Sequence, residues 1–193
     1  MRENILDKRR YEVSRLMEIT EIILISLGLF LIPLLIPQFF GTNSQYIIGT
    51  IVNCSLIVAG INIKGKKKLI GLVTLPSVAA LTSGLVLNAA SIYTVYMIPI
   101  VWLGNLAIIY SYRYLLVERN KKYMYASLVA ILLKAGIIFL GFNTLVAVGT
   151  IPGGSKVASV LFTAMGVNQL ITAICGSLLA FLILKLGYER KTM

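Results

Sequence analysis

Lys134 is the only charged residue between Met124 and Lys156, and it sits in the run Leu132-Leu133-Lys134-Ala135-Gly136. Counted as a helix from Met124, it lies ~15 Å along the axis at about 1.5 Å per residue. That is half-way through a hydrocarbon layer ~30 Å thick. A charge at that depth costs at least ~2.5–3.5 kcal/mol on insertion scales, so it has to face protein or a water-filled cavity. The chemistry open to it is recognition of an anionic or strongly accepting group, because no Asp or Glu lies deep in any apolar run. The structural alternative is an ion pair with Glu21, a turn inside the edge of the first run, with both side chains bending toward each other.

Other polar residues inside the apolar runs form narrow faces. Thr50 and Asn53 are three apart, as are Trp102 and Asn105; Asn168 and Thr172 are four apart, with Gln169 beside them. Ser127, Lys134 and Gly141 recur every seven residues and define one stripe. Asn143 falls on the opposite side of the same helix. By depth, Asn53, Asn105, Lys134, Asn168 and Gln169 converge on one outward-facing cavity near the midplane. Each isolated Asn or Thr can equally be glue between helices, and Trp102 can pack or stack on a ligand.

The elements that must position these side chains are apolar helices. The chain has 193 residues, is 58% hydrophobic and has a mean hydropathy of +0.89. A soluble domain of this size could not bury that much apolar surface. The expected fold is an all-α integral membrane protein with six transmembrane helices in one bundle. The spans are read at about 22–40, 46–63, 69–87, 93–116, 124–148 and 157–186, within a membrane domain at 18–187. Pro33 and Pro37 should kink or end the outer part of the first span. Residues 1–17 read as a basic amphipathic segment on the membrane surface or a charged tail, and 188–193 as a basic cytoplasmic tail.

The net charge is +11, with 18 Lys and Arg against 7 Asp and Glu. All of those basic residues except Lys134 and Lys156 fall at one end of the six-span arrangement, which puts both termini in the cytoplasm. Charge of this sign in short runs between spans writes topology and does not call for nucleic acid. Tyr110, Tyr112, Tyr114, Tyr123 and Tyr125 are expected in an inner aromatic belt, and Tyr46, Tyr93 and Tyr96 in an outer one. The small pairs Ala79/Ser83, Ala80/Gly84 and Gly176/Ala180 allow close helix approach, within this chain or against another membrane protein.

Catalysis has little to stand on. There is no histidine, and no nucleophile has a base at a plausible spacing. Cys54 and Cys175 both fall in apolar spans and read as small core residues, too few for a zinc or iron–sulfur site. No metal, cofactor or catalytic residue is expected. No phosphate-cradling glycine loop is present, so an ATP-driven step would need a separate protein.

Several stretches resemble the membrane substrate-binding (S) components of energy-coupling-factor transporters. They are Ile48-Gly49-Thr50-Ile51-Val52-Asn53, the basic hairpin Lys64–Lys68, the Pro76 span, Ile98-Pro99-Ile100-Val101-Trp102-Leu103-Gly104-Asn105, and the final helix with Asn168-Gln169-Leu170-Ile171, Ile174 and Gly176. The likeness runs from about Tyr46 to Leu186. It implies a multi-pass protein of the bacterial cell membrane that binds a vitamin or precursor from outside. Its implied partners are a coupling membrane subunit and two cytosolic ATPases. The family's A-x-x-x-A pattern in the first helix is not found; Ser26 and Gly28 are the nearest small residues. Family ligand contacts, carried to this chain, fall on Asn43, Trp102, Asn105, Lys134, Asn168 and Gln169. The competing expectation is a membrane anchor or assembly subunit in which Lys134 is a structural charge.

Overall fold

The computed structural model describes residues 15–40, 44–63, 65–82 and 91–189. Most of the expected segment 1–17, Asn43 in the first turn, Lys64, the connection 83–90 with Ser83 and Gly84, and the end of the basic tail lie outside the described residues. Those that are described are all-helical, with no strand among them. The helices are α1 (Arg15–Phe40), α2 (Ser44–Asn62), α3 (Lys66–Thr82), α4 (Ser91–Tyr112), α5 (Tyr123–Ala147), α6 (Lys156–Met165) and α7 (Val167–Glu189).

Among the described residues five helical stretches are long and apolar enough to cross a membrane: Met17–Phe40, Ser44–Asn62, Tyr93–Glu118, Tyr123–Ala147 and Lys156–Leu186. The described part of α3 has 17 residues and falls short of that length. Apolar residues run around each long helix, so their outward faces stay apolar: Leu24, Leu103, Leu132, Leu140 and Leu182 are all exposed. That is the surface expected of helices facing lipid.

Helix α2 is the hub. Half (50%) of its apolar span is buried, against 11% for α1. It packs along α7, and α4 packs along α5; both contacts rest on glycine. A Cβ on Gly176 would sit 2.5 Å from the Asn53 Cβ and 2.9 Å from the Thr50 carbonyl oxygen. A Cβ on Gly141 would collide with the Ile100 side chain, and one on Gly104 would lie 2.9 Å from Ile138 Cγ1. These missing side chains let backbones approach closely, as small residues do between membrane helices. Gly176 therefore packs inside this chain, and Ala79 and Ala180 are fully buried.

Several local features depart from expectation. Helix α1 continues through Pro33 and Pro37 to Phe40. The fourth element ends in a π-helix, Arg113–Glu118, whose wider turn puts Arg113 Nη1 2.9 Å from the Ile63 carbonyl it donates to. The last span is broken at Gly166 into α6 and α7. Tyr112 is not in an interfacial belt. It is fully buried, and its hydroxyl meets Ser127 Oγ at 2.8 Å and Ser177 Oγ at 2.6 Å. Tyr123 donates to the Ser177 carbonyl at 2.7 Å. Cys54 is buried, but Cys175 is exposed on the outside of α7, and both are free.

Candidate functional site

Lys134 lies mid-way along the 25-residue α5 and is 2% exposed. Its Nζ donates to Asn53 Oδ1 on α2 at 2.5 Å and to Asn105 Oδ1 on α4 at 2.7 Å. Three helices thus meet on one amine. A lysine amine in this role only donates, so both amide oxygens must face it and both amide nitrogens must face away. Asn53 spends its nitrogen on Thr172 Oγ1 of α7 at 3.3 Å. Thr172 in turn donates to the Gln169 carbonyl at 3.2 Å. The close crossings at Gly104 and Gly176 are what bring these groups within reach.

The expected pair with Glu21 does not form. Glu21 accepts from Asn62 Nδ2 at 2.6 Å, at the far end of α2 from Ser44. The ion pairs among the described residues, Lys68–Glu18 at 2.9 Å and Arg113–Glu118 at 3.7 Å, lie at that same basic end. Lys134 has no carboxylate partner among the described residues.

A cavity of about 410 Å³ opens beside Lys134. Its deep end carries Lys134, Asn53, Asn105 and Thr172, and its wall is aliphatic, with Ile48, Val52, Met97 and Val101. The rim is formed by Ser44, Gln45 and Asn168, at the starts of α2 and α7, and by Leu81 near the end of α3. It lies at the end of the bundle opposite Lys68, Arg113 and Lys185. At the rim Tyr46 donates to Asn168 Oδ1 at 2.9 Å, and Asn168 Nδ2 donates to Gln45 Oε1 at 3.1 Å. That latch ties the first turn of α2 to the first turn of α7. A volume of this size and a mostly apolar wall with a few converging polar groups suit a small molecule.

Of the residues singled out from sequence, Asn53, Asn105, Lys134, Asn168 and Gln169 line this one cavity. Asn43 lies outside the described residues. Trp102 does not line the cavity: it packs against the core, and its Nε1 is buried without a hydrogen-bond partner among the described residues. The reason is angular. Helix α4 turns Ile98, Val101 and Asn105 to the cavity, and Trp102, one residue past Val101, points about 100° away. Asn143 is exposed and bonds only back to the Phe139 carbonyl, at 2.7 Å. The residues expected to converge came from the second, fourth, fifth and last spans, with most of them on the last three. Among the described residues α5 contributes Lys134 alone, α2 supplies a longer stretch of lining than Asn53, and α3, from which no site residue was expected, adds Pro76 and Ser77. A proline inside a helix was the available signal for α3.

No family model matches the chain, and no curated protein or solved structure matches it either.

Proposed function

We propose that this chain is the membrane-embedded solute-binding subunit of an uptake transporter, of the energy-coupling-factor S-component type. In this reading it has six spans, with both termini in the cytoplasm of a bacterial cell membrane. The solute is a small nutrient, a vitamin or precursor, captured from outside. One observation carries the reading: Lys134 is buried at the floor of a cavity of about 410 Å³, held by two neutral amides and by no acid among the described residues. Burying an ammonium without a counter-charge is costly, and an incoming acceptor or anion offsets that cost.

The position of the cavity supports the direction of capture. Its rim lies at the end away from Lys66, Lys67, Lys68, Arg113, Arg119, Lys121 and Lys122, and the end rich in Lys and Arg faces the cytoplasm. Energy for release inside would come from a coupling membrane subunit and two cytosolic ATPases, since the chain has no nucleotide motif of its own. A structural-anchor reading asks for a filled interior with Lys134 bonded to Glu21. Glu21 is instead bonded to Asn62, and Lys134 adjoins open volume.

The test is binding of purified protein, reconstituted in lipid nanodiscs, to a panel of vitamins and their precursors. A member of the panel should bind the native chain and lose most of its affinity for Lys134→Ala. Equal binding by the variant removes Lys134 from the site, and no binding across the panel removes the reading.

A further inference from the structure

Counting donors and acceptors at the cavity floor narrows the solute. Lys134 Nζ carries up to three N–H groups and spends two, on Asn53 and Asn105. Asn105 accepts from Lys134 through Oδ1, which turns its amide nitrogen away from the lysine. That nitrogen has no acceptor among the described residues, although Asn105 is only 2% exposed. Asn53 has already spent one of its two N–H groups, on Thr172. The floor therefore presents unspent N–H groups on Lys134 of α5 and on the Asn105 amide of α4, the Asn105 amide having both of its N–H groups to give. Both residues line the cavity, and the Asn105 nitrogen is not among the fully enclosed unpartnered atoms, of which Trp102 Nε1 is the one among the described residues.

The wall is as informative. No Phe, Tyr or Trp is among the described residues lining the cavity. Segments 41–43 and 83–90, which adjoin the rim in sequence, contain none either. Flat heteroaromatic ligands are usually held by stacking on aromatic rings, and here the walls are Ile48, Val52, Met97 and Val101.

From these two facts we infer that the solute is a compact aliphatic monocarboxylate, bound head-down. Its two carboxylate oxygens take the spare donors of Lys134 and Asn105, and its saturated body lies on the aliphatic wall. This rests on the solute-binding reading above and names the substrate class for that same site. A carboxylate has two acceptor oxygens and no donor, which matches the floor; a cation would meet donors only. The saturated body matches a wall that has methyl and thioether groups to offer but no ring face.

The test uses nanodisc-reconstituted full-length protein and isothermal titration with octanoate, 4-cyclohexylbutanoate, octanamide, nicotinate and thiamine. The two aliphatic carboxylates should bind. Octanamide, equal in length but uncharged, should bind at least tenfold more weakly, and nicotinate and thiamine more weakly still. Asn105→Leu should bring octanoate down to the octanamide level. The octanoate-to-octanamide ratio is read on the native protein alone, so a variant that fails to fold does not blunt the test. Equal binding of octanoate and octanamide overturns the carboxylate assignment. Tighter binding of nicotinate or thiamine overturns the aliphatic assignment while leaving solute capture standing. Binding of none of these probes, nor of any vitamin, overturns both.

Discussion

Lys134 on α5 and Asn105 on α4 are joined by a 2.7 Å hydrogen bond that fixes the direction of the Asn105 amide. Since the lysine can only donate, the amide nitrogen of Asn105 is forced away from it. The same constraint operates on Asn53, whose nitrogen is turned to Thr172 and donates to its hydroxyl. One buried amine thus orients two amides on two other helices and decides which of their donors are left for the cavity.

The first prediction separates stability from binding at that amine. Removing the ammonium relieves its desolvation cost but takes the donor from the Asn53 and Asn105 oxygens, and a buried acceptor left unsatisfied costs about 1–3 kcal/mol. The two effects oppose each other, so Lys134→Met should shift the Tm of the purified protein only modestly, while abolishing solute binding. Thermal unfolding in detergent checks the first half and titration the second. A large fall in Tm would mean that the amine holds the bundle together.

A second prediction concerns the α2–α7 crossing. A methyl on Gly176 meets the Asn53 Cβ and the backbone of Thr50 and Cys54 within 3.0 Å, atoms that cannot swing aside. Gly176→Ala should cost about 1–3 kcal/mol through overpacking. Gly136 has nothing within 4 Å of its added Cβ. Gly136→Ala should be neutral or stabilise by up to ~1 kcal/mol, from helix propensity alone. Paired unfolding curves give the comparison.

How much was legible in the sequence follows from which residues carried a cost. Lys134 was readable because a charge in mid-span has few places to go, and Asn53 and Asn105 because their depths matched. Trp102 was misplaced because spacing of three defines a face only to within about 60°, and the position of α2 decides which side of that face is open. Ser77 was missed because α3 reads as a plain apolar run around Pro76. Tyr112 was assigned to a belt on depth alone, whereas its hydroxyl is spent on Ser127 and Ser177, from α5 and α7. The break at Gly166 and the π-turn at Arg113–Glu118 depend on contacts between elements that no window of sequence contains.

The Tyr112 cluster gives a third prediction. Tyr112→Phe removes one hydroxyl from a cluster in which Ser177 Oγ still meets Ser127 Oγ at 3.0 Å and Ser127 still meets the Tyr123 carbonyl at 2.9 Å, and should destabilise by about 0.5–1.5 kcal/mol. None of the three lines the cavity, so affinity for solute should not change. Unfolding and titration on the one variant distinguish a structural hydroxyl cluster from a functional one.

The proposed orientation supplies a fourth. In a variant with Cys54→Ser and Cys175→Ser, a cysteine at Ser155, in the α5–α6 loop, should react with a membrane-impermeant maleimide in intact cells. A cysteine at Lys121, in the π-turn connection, should react only after the cells are opened. The reverse pattern would place the cavity rim in the cytoplasm and end the uptake reading.

The most direct test of the account is the affinity of one solute, the tightest found, for native protein and for Lys134→Met in the same nanodiscs. The account predicts at least a tenfold loss in the variant, about 1.4 kcal/mol or more, with the fold intact by thermal unfolding. An unchanged Kd would contradict it.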